Sequence, residues 1–300
     1  MTSTPISRAD QANRVRVVCL GETMVMFGPP PYETIEYCDH FIALHGGAES
    51  NVAIGLERLG IHAGWIGKLP CNALGRKIVN EARSFGVDTS AVVWTDHGRV
   101  GTFFVEWGAP PRPIMTIYDR AGSVATTLIA DDLDWDYIER AEWLELTGIT
   151  PATSATCRAS VPEIAQRARQ RGVKVAFDTN YRALLWSEAE ARVGCAAILP
   201  SVNLLVATEP DMAILLGEHL AREEALRDIT GRYNLEAAVM TLGGEGCLAY
   251  DGRAFYRAAG YTAQVVNRLG AGDAFMAGLL YGYLGENLEA GLCYGMAMAA

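Results

Sequence analysis

An aspartate led by three small residues is the part of this chain best equipped for chemistry: Gly270, Ala271 and Gly272 run directly into Asp273 within the segment 267–275, NRLGAGDAF. Residues 261–266 alternate and carry β-branched side chains as a strand does, and 274–284 is apolar and helix-prone. The pattern predicts a strand, a turn and a helix, with Asp273 at the mouth of the helix. There the unpaired backbone N–H groups of Gly270, Ala271 and Gly272 can converge on an anion, helped by the positive end of the helix dipole. A carboxylate beside such an anion hole suits a general base that deprotonates a hydroxyl next to a phosphoryl group in transfer. An Asp N-cap on a glycine turn has the same local signature.

Such a site needs a scaffold, and the rest of the chain supplies alternating elements. Strands are expected at 15–21, 63–67, 143–147, 173–178, 204–207 and 237–241, and helices at 50–59, 74–85, 161–170, 188–197 and 209–216. This order predicts an α/β fold whose mostly parallel sheet is covered by helices on both faces, with ligands at the carboxyl ends of the strands. Segments 29–45 and 99–118 break the alternation. They are aromatic and β-branched without helical period, and are expected to form a small β-lid over those strand ends. No repeat, low-complexity tract or Gly/Ser linker divides the chain, so residues 1–300 are expected to form one domain.

Composition narrows the partners. A hydrophobic content of 50% supports a sizeable core. A net charge of -10 argues against nucleic-acid and membrane surfaces, although an acidic enzyme can still bind anions through local Arg and backbone groups. The polar start of the chain has no signal-peptide pattern and no run of eighteen apolar residues occurs, which predicts a cytoplasmic protein. The seven cysteines lack metal-ligand spacing and are expected to be reduced core residues, and His40 and His45 lack a third ligand.

Nucleotide signatures narrow the chemistry further. No GxxxxGK[ST] motif occurs, and the first strand runs into Gly21-Glu22 rather than a GxGxxG turn, so neither a P-loop nor a dinucleotide-binding unit is indicated. The loop Gly243-Gly244-Glu245-Gly246, after the strand ending at Thr241, allows either close approach of a nucleotide or an ordinary hairpin turn.

Taken in order, GGAESN (46–51) before a helix, DTNYR (178–182) after a strand, the GGEG loop and GAGDAF resemble the PfkB/ribokinase family of carbohydrate kinases, over essentially the whole chain. Within that family GGAESNVAIGLERLG, IYDRAGS, TGITPATS and DTNYRALLWS are similar to the 2-keto-3-deoxygluconate kinases. The resemblance implies a ribokinase-like three-layer fold, ATP as phosphoryl donor and Mg²⁺ as cofactor. It makes Asp273 the base toward the sugar hydroxyl and the 270–273 backbone the anion hole. It assigns Gly46, Gly47, Asn51, Tyr118, Arg120 and Arg182 to the sugar side, and Asn180, Asp211, Thr241, Gly243, Gly244 and Gly246 to the nucleotide side. Glu209 and Asp211 would assist the metal through water, in a segment where Thr208 and Asp211 stand for the Asn and Glu of the family's NxxE element. That branch often has a second Tyr where this chain has Asp119.

The resulting expectation is ATP-dependent phosphorylation of a sugar primary hydroxyl, with 2-keto-3-deoxygluconate going to its 6-phosphate. The partner is a small sugar or sugar acid, and the resemblance allows a homo-oligomer formed through the lid. A neutral-sugar kinase such as a fructokinase, and a non-catalytic sugar-binding or regulatory protein on the same fold, are the alternatives. The chain ends inside the apolar run 292–300 without a stop signal, where the family usually continues and closes the adenine pocket, so a missing tail is expected.

Overall fold

A computed structural model describes residues 14–108, 113–264 and 269–300. In chain order the strands are β1 (Val17–Leu20), β2 (Met24–Gly28), β3 (Ile42–Gly46), β4 (Ala63–Ile66), β5 (Lys68–Pro70), β6 (Val93–Thr95), β7 (Thr102–Glu106), β8 (Met115–Asp119), β9 (Trp143–Thr147), β10 (Lys174–Asp178), β11 (Leu204–Thr208), β12 (Ala237–Thr241), β13 (Cys247–Tyr250) and β14 (Phe255–Ala258). The helices are α1 (Ala48–Arg58), α2 (Ala73–Ser84), α3 (Trp135–Ile138), α4 (Ile149–Ala152), α5 (Ala155–Gln170), α6 (Glu188–Ile198), α7 (Glu209–Leu216), α8 (Arg222–Tyr233), α9 (Ala271–Gly285) and α10 (Leu288–Ala299).

The large sheet has the order β14-β13-β12-β11-β10-β9-β1-β4, parallel from β12 to β4 and antiparallel through β13 and β14. Its central strands are apolar at nearly every position because both faces are covered. Val18, Leu20, Leu144, Leu146, Val175 and Phe177 face one layer, built from α5, α6, α7 and α8. Val17, Cys19, Trp143 and Ala176 face the other, built from α1, α2, α9 and α10. The result is the three-layer arrangement, a mostly parallel sheet covered on both faces, that the alternation predicted.

A second sheet, β3-β2-β7-β8, stands apart from the first, and β5 and β6 pair separately. Segment 29–45 contributes only β3 to it, segment 99–118 contributes β7 and β8, and the fourth strand, β2, lies before the expected boundary. Its inner face carries Met24, Met26, Phe103 and Val105 as a small buried cluster. No helix among the described residues is long and apolar enough to cross a membrane.

Several elements depart from expectation. Residues 261–264 are not a strand, 265–268 lie outside the described residues, and the strand that closes this edge is β14, which pairs with β13. Helix α5 begins at Ala155, six residues early, because Ser154 caps it by accepting from the Cys157 N–H, and Pro162 is tolerated inside it. Helix α8 was not anticipated: its sequence is strongly charged, and only the stripe Ala225, Leu226, Ile229 and Thr230 is buried. The thiols are all free, but only Cys19, Cys157, Cys195 and Cys247 are buried, while Cys71 and Cys293 are exposed.

Candidate active site

Helix α9 begins at Ala271, three residues before the apolar run suggested, so Asp273 lies in its first turn and is not its N-cap. The cap is Gly270, held in the left-handed region at φ 82°, a conformation that costs other residues strain, and no side chain caps this end. Among the described residues, a Cβ at Gly272 would meet nothing within 4 Å. Asp273 is 8% exposed, and its Oδ2 accepts a 2.7 Å hydrogen bond from Asn51 Nδ2 in the first turn of α1. Helices α1 and α9 approach closely enough that a Cβ on Gly55 would stand 2.6 Å from Ala277 Cβ. Burial raises the pKa of Asp273 above the ordinary range. The Asn51 hydrogen bond, the Arg182 charge and the Asn180 side chain work against that rise.

Asp273 looks into a cavity of about 700 Å³ between the two sheets, lined among others by Gly46, Gly47, Asn51, Tyr118, Arg120, Arg182 and Gly270. All six residues expected on the sugar side therefore share one cavity with the expected base. Gly47 is required by close approach, since a Cβ there would fall 2.5 Å from the Glu22 carbonyl oxygen. Met24, Met26, Phe103 and Ile114 form the apolar wall opposite, and Tyr118 stacks on Phe103 with ring centroids 5.6 Å apart.

The two arginines differ. Arg120 is 9% exposed, and its Nε and Nη2 both donate to Glu22 Oε2, at 2.9 and 2.6 Å. Glu22 Oε1 accepts from Ser123 Oγ at 2.6 Å. Asp119, adjacent in sequence, does not neutralise Arg120; it pairs with Arg99 at 2.8 Å. The Arg182 guanidinium is exposed and has no hydrogen bond or ion pair among the described residues.

The expected nucleotide side lies along the neighbouring strand ends and is not part of the cavity lining. Asp178 ends β10, and Asn180, at φ 41°, wraps it with its N–H and Nδ2 at 3.1 and 3.2 Å. Burial, with the charges of Asp273 and Asp211, pushes Asp178 up to about 7. Asp211 is buried; its carboxylate accepts from the Tyr181 N–H at 3.4 Å, and its own N–H donates to Thr208 Oγ1 at 3.1 Å. Thr208 thus caps α7 as Asn would. Glu209 faces elsewhere: both of its oxygens accept from Arg222, which also binds Glu245 of the glycine loop. At the end of β12, past Thr241, a Cβ on Gly243 or Gly244 would meet nothing within 4 Å among the described residues, whereas one on Gly246 would fall 2.0 Å from the Ala258 carbonyl oxygen.

Two acids of the cavity were not singled out by sequence reasoning. Glu22 followed a glycine considered only as evidence against a dinucleotide turn, and Glu49 lay unremarked inside GGAESN. Both are buried, at 6% and 1% exposure, and an acid at the end of an apolar strand or the start of a helix was the available signal. His45 lines the cavity too, but stands 2.9 Å from Glu81 Oε1 rather than near another histidine.

A covered parallel sheet, a second sheet facing its strand ends and a buried carboxylate at an open helix N-terminus define a small-molecule phosphotransferase of ribokinase-like fold. The profile of the pfkB family of carbohydrate kinases matches residues 15–300. The chain belongs to that family, and is a sugar phosphotransferase. It is 39% identical to a 2-dehydro-3-deoxygalactonokinase of Haloferax volcanii over 285 residues, 95% of this chain and 89% of the relative. It is 30% identical to a 5-dehydro-2-deoxygluconokinase of Bacillus subtilis, over 94% of this chain and 86% of the relative. Among solved structures it superimposes on a 2-dehydro-3-deoxygluconokinase of Thermotoga maritima with a TM-score of 0.87 and 32% identity, covering 95% of this chain and 92% of that one.

Proposed function

We propose that this enzyme transfers the γ-phosphoryl group of ATP to the primary hydroxyl of a 2-keto-3-deoxy sugar acid, with 2-keto-3-deoxygluconate as the first candidate. The observation that carries the reading is the buried Asp273 carboxylate, held by Asn51 at the floor of a cavity that also presents Arg182. Asp273 accepts the proton of the sugar hydroxyl as that oxygen attacks phosphorus. The N–H groups of Gly270, Ala271 and Gly272 face the charge that develops on the phosphoryl oxygens. Arg182 grips the substrate carboxylate with two parallel hydrogen bonds. The apolar wall of Met24, Met26 and Phe103 suits the deoxygenated carbon. Related enzymes named for the gluconate and galactonate acids point to the same class, whose members differ at one hydroxyl-bearing carbon.

Adenine and ribose would lie over the open Gly243 and Gly244, beside Thr241 and Asn180. No group of three acidic, His or Cys side chains among the described residues is arranged to hold a metal by itself. The oxygen donors at hand, Asp211 and the wrapped Asp178, fit a hard cation carried by the nucleotide and contacted through water. Mg²⁺ so bound would neutralise charge on the β- and γ-oxygens. Glu209, committed to Arg222, is the weaker donor.

A neutral-sugar kinase is the second reading, favoured by one observation: Glu22 cancels the charge of Arg120 and leaves one uncommitted arginine. The lid strands β3 and β8 expose Ile42, Leu44, Met115 and Ile117, each more than 40% accessible, which supports a homo-oligomer through this sheet. A coupled assay across 2-keto-3-deoxygluconate, its galactonate epimer and fructose tests the reading. Sugar acids are expected to give the higher kcat/KM, and a preference for fructose would replace this reading with the second.

A further inference from the structure

We propose that Glu49 is a positioning residue for phosphoryl transfer: its carboxyl ties the first turn of α1 to the ends of two strands and thereby sets where Asn51 holds Asp273. The inference rests on the reading of Asp273 as the base. Helix α1 starts after Gly47 with no side-chain cap, so its first turn needs another anchor. Glu49, 1% exposed, provides it. Its Oε1 accepts from Thr147 Oγ1 at 2.7 Å, at the end of β9, and from Thr150 Oγ1 at 3.1 Å. Its carboxyl carbon lies 2.1 Å from where a Cβ of Gly21 would stand, just past the end of β1. Strands β1 and β9 are hydrogen-bonded neighbours, so the carboxyl that bonds the end of β9 also packs against the end of β1. Two residues on, Asn51 reaches Asp273.

The surroundings make this lock more than a strut. On the same face of β9, Glu145 is fully buried with both oxygens unpartnered, and Cys19 packs beside it on β1. Asp273 and Asp178 add negative charge, and the Arg182 charge acts on these two aspartates. Burial, opposed by the two threonine hydroxyls and reinforced by Asp273, pushes Glu49 up to about 7. Ionised, Glu49 repels a charged Asp273, and that repulsion belongs to the geometry in which the base works.

The test compares Glu49→Ala, Glu49→Gln, Gly21→Ala and the double variant Gly21→Ala/Glu49→Ala in steady-state kinetics with Mg-ATP and the best sugar acid, beside Asp273→Asn. Glu49→Ala is expected to lower kcat by a factor on the order of 10 to 10², the scale of an ångström-level misplacement, with KM for ATP within about twofold. Glu49→Gln keeps an acceptor for both threonines and should stay within about threefold of wild type. Gly21→Ala drives a methyl group into the carboxyl and should match Glu49→Ala, while the double variant loses no more than either single one. Folded Glu49→Ala with kcat within twofold of wild type beside an inactive Asp273→Asn overturns the proposal, as do equal losses in Glu49→Ala and Glu49→Gln. Should Glu49→Ala fail to fold, a fully active Gly21→Ala overturns it. An active Asp273→Asn overturns the reading of the base and the proposal with it.

Discussion

Arg120 donates through Nε and Nη2 to a single oxygen of Glu22, and both side chains are buried in the cavity wall. The pair is electrically closed, so in the proposed function the charge that meets a substrate carboxylate comes from Arg182. Removing one partner of a buried pair costs about 3 to 5 kcal/mol because the other charge is left uncompensated. Arg120→Leu should therefore lower the melting temperature strongly. Arg182→Leu should instead raise KM for the sugar acid about ten- to hundredfold, the equivalent of a lost charged hydrogen bond of roughly 1.5 to 3 kcal/mol, with little change in KM for ATP. An unchanged acid-to-fructose ratio of kcat/KM in Arg182→Leu would favour the neutral-sugar reading.

Asp273→Asn preserves the shape of the carboxylate at the Asn51 contact and removes the proposed base. Folding and ATP binding should remain near wild type while kcat falls by a factor on the order of 10² to 10⁴. A variant keeping more than half of wild-type kcat would exclude Asp273 from proton transfer.

Chelation gives an independent check. Activity should vanish with excess EDTA and return with Mg²⁺, and Asp211→Ala should raise the Mg²⁺ concentration needed for half-maximal rate. Since Glu209 is engaged by Arg222, Glu209→Ala should shift that concentration less than Asp211→Ala.

Stability should depend on pH with a defined sign. Glu49 and Asp178 are both pushed up to about 7 by burial, above their values in an unfolded chain. Between about pH 4 and 7 the native state holds protons that the unfolded state releases, so stability falls as pH rises through this window. The melting temperature should be higher near pH 6 than near pH 8. Glu49→Gln and Asp178→Asn should each flatten that slope, and a slope unchanged in both would show that these carboxyls ionise normally.

The exposed apolar strands of the second sheet yield a prediction on assembly. Leu44→Asp combined with Ile117→Asp should shift the sedimentation coefficient toward the monomer without lowering thermal stability. Identical sedimentation of variant and wild type would remove this face from assembly.

The alternation of apolar strands and amphipathic helices settled the layered fold locally, because a strand covered on both faces must be apolar throughout, and the glycines before Asp273 announced a helix mouth. Even the register of that helix differs by three residues, since the chain enters it through a left-handed turn at Gly270 that the side-chain pattern does not encode. What the sequence could not contain was pairing across distance. Asn51 meets Asp273 over 222 residues, Glu22 meets Arg120 over 98, and Glu49 meets Thr147 over 98. Asp119, the acid adjacent in sequence, turned instead to Arg99. Local pattern reports which face of an element is apolar. Which polar groups share a buried space, and hence which arginine is paired and which carboxyl meets Asn51, follows from helix packing and strand order, and only the tertiary structure decides it.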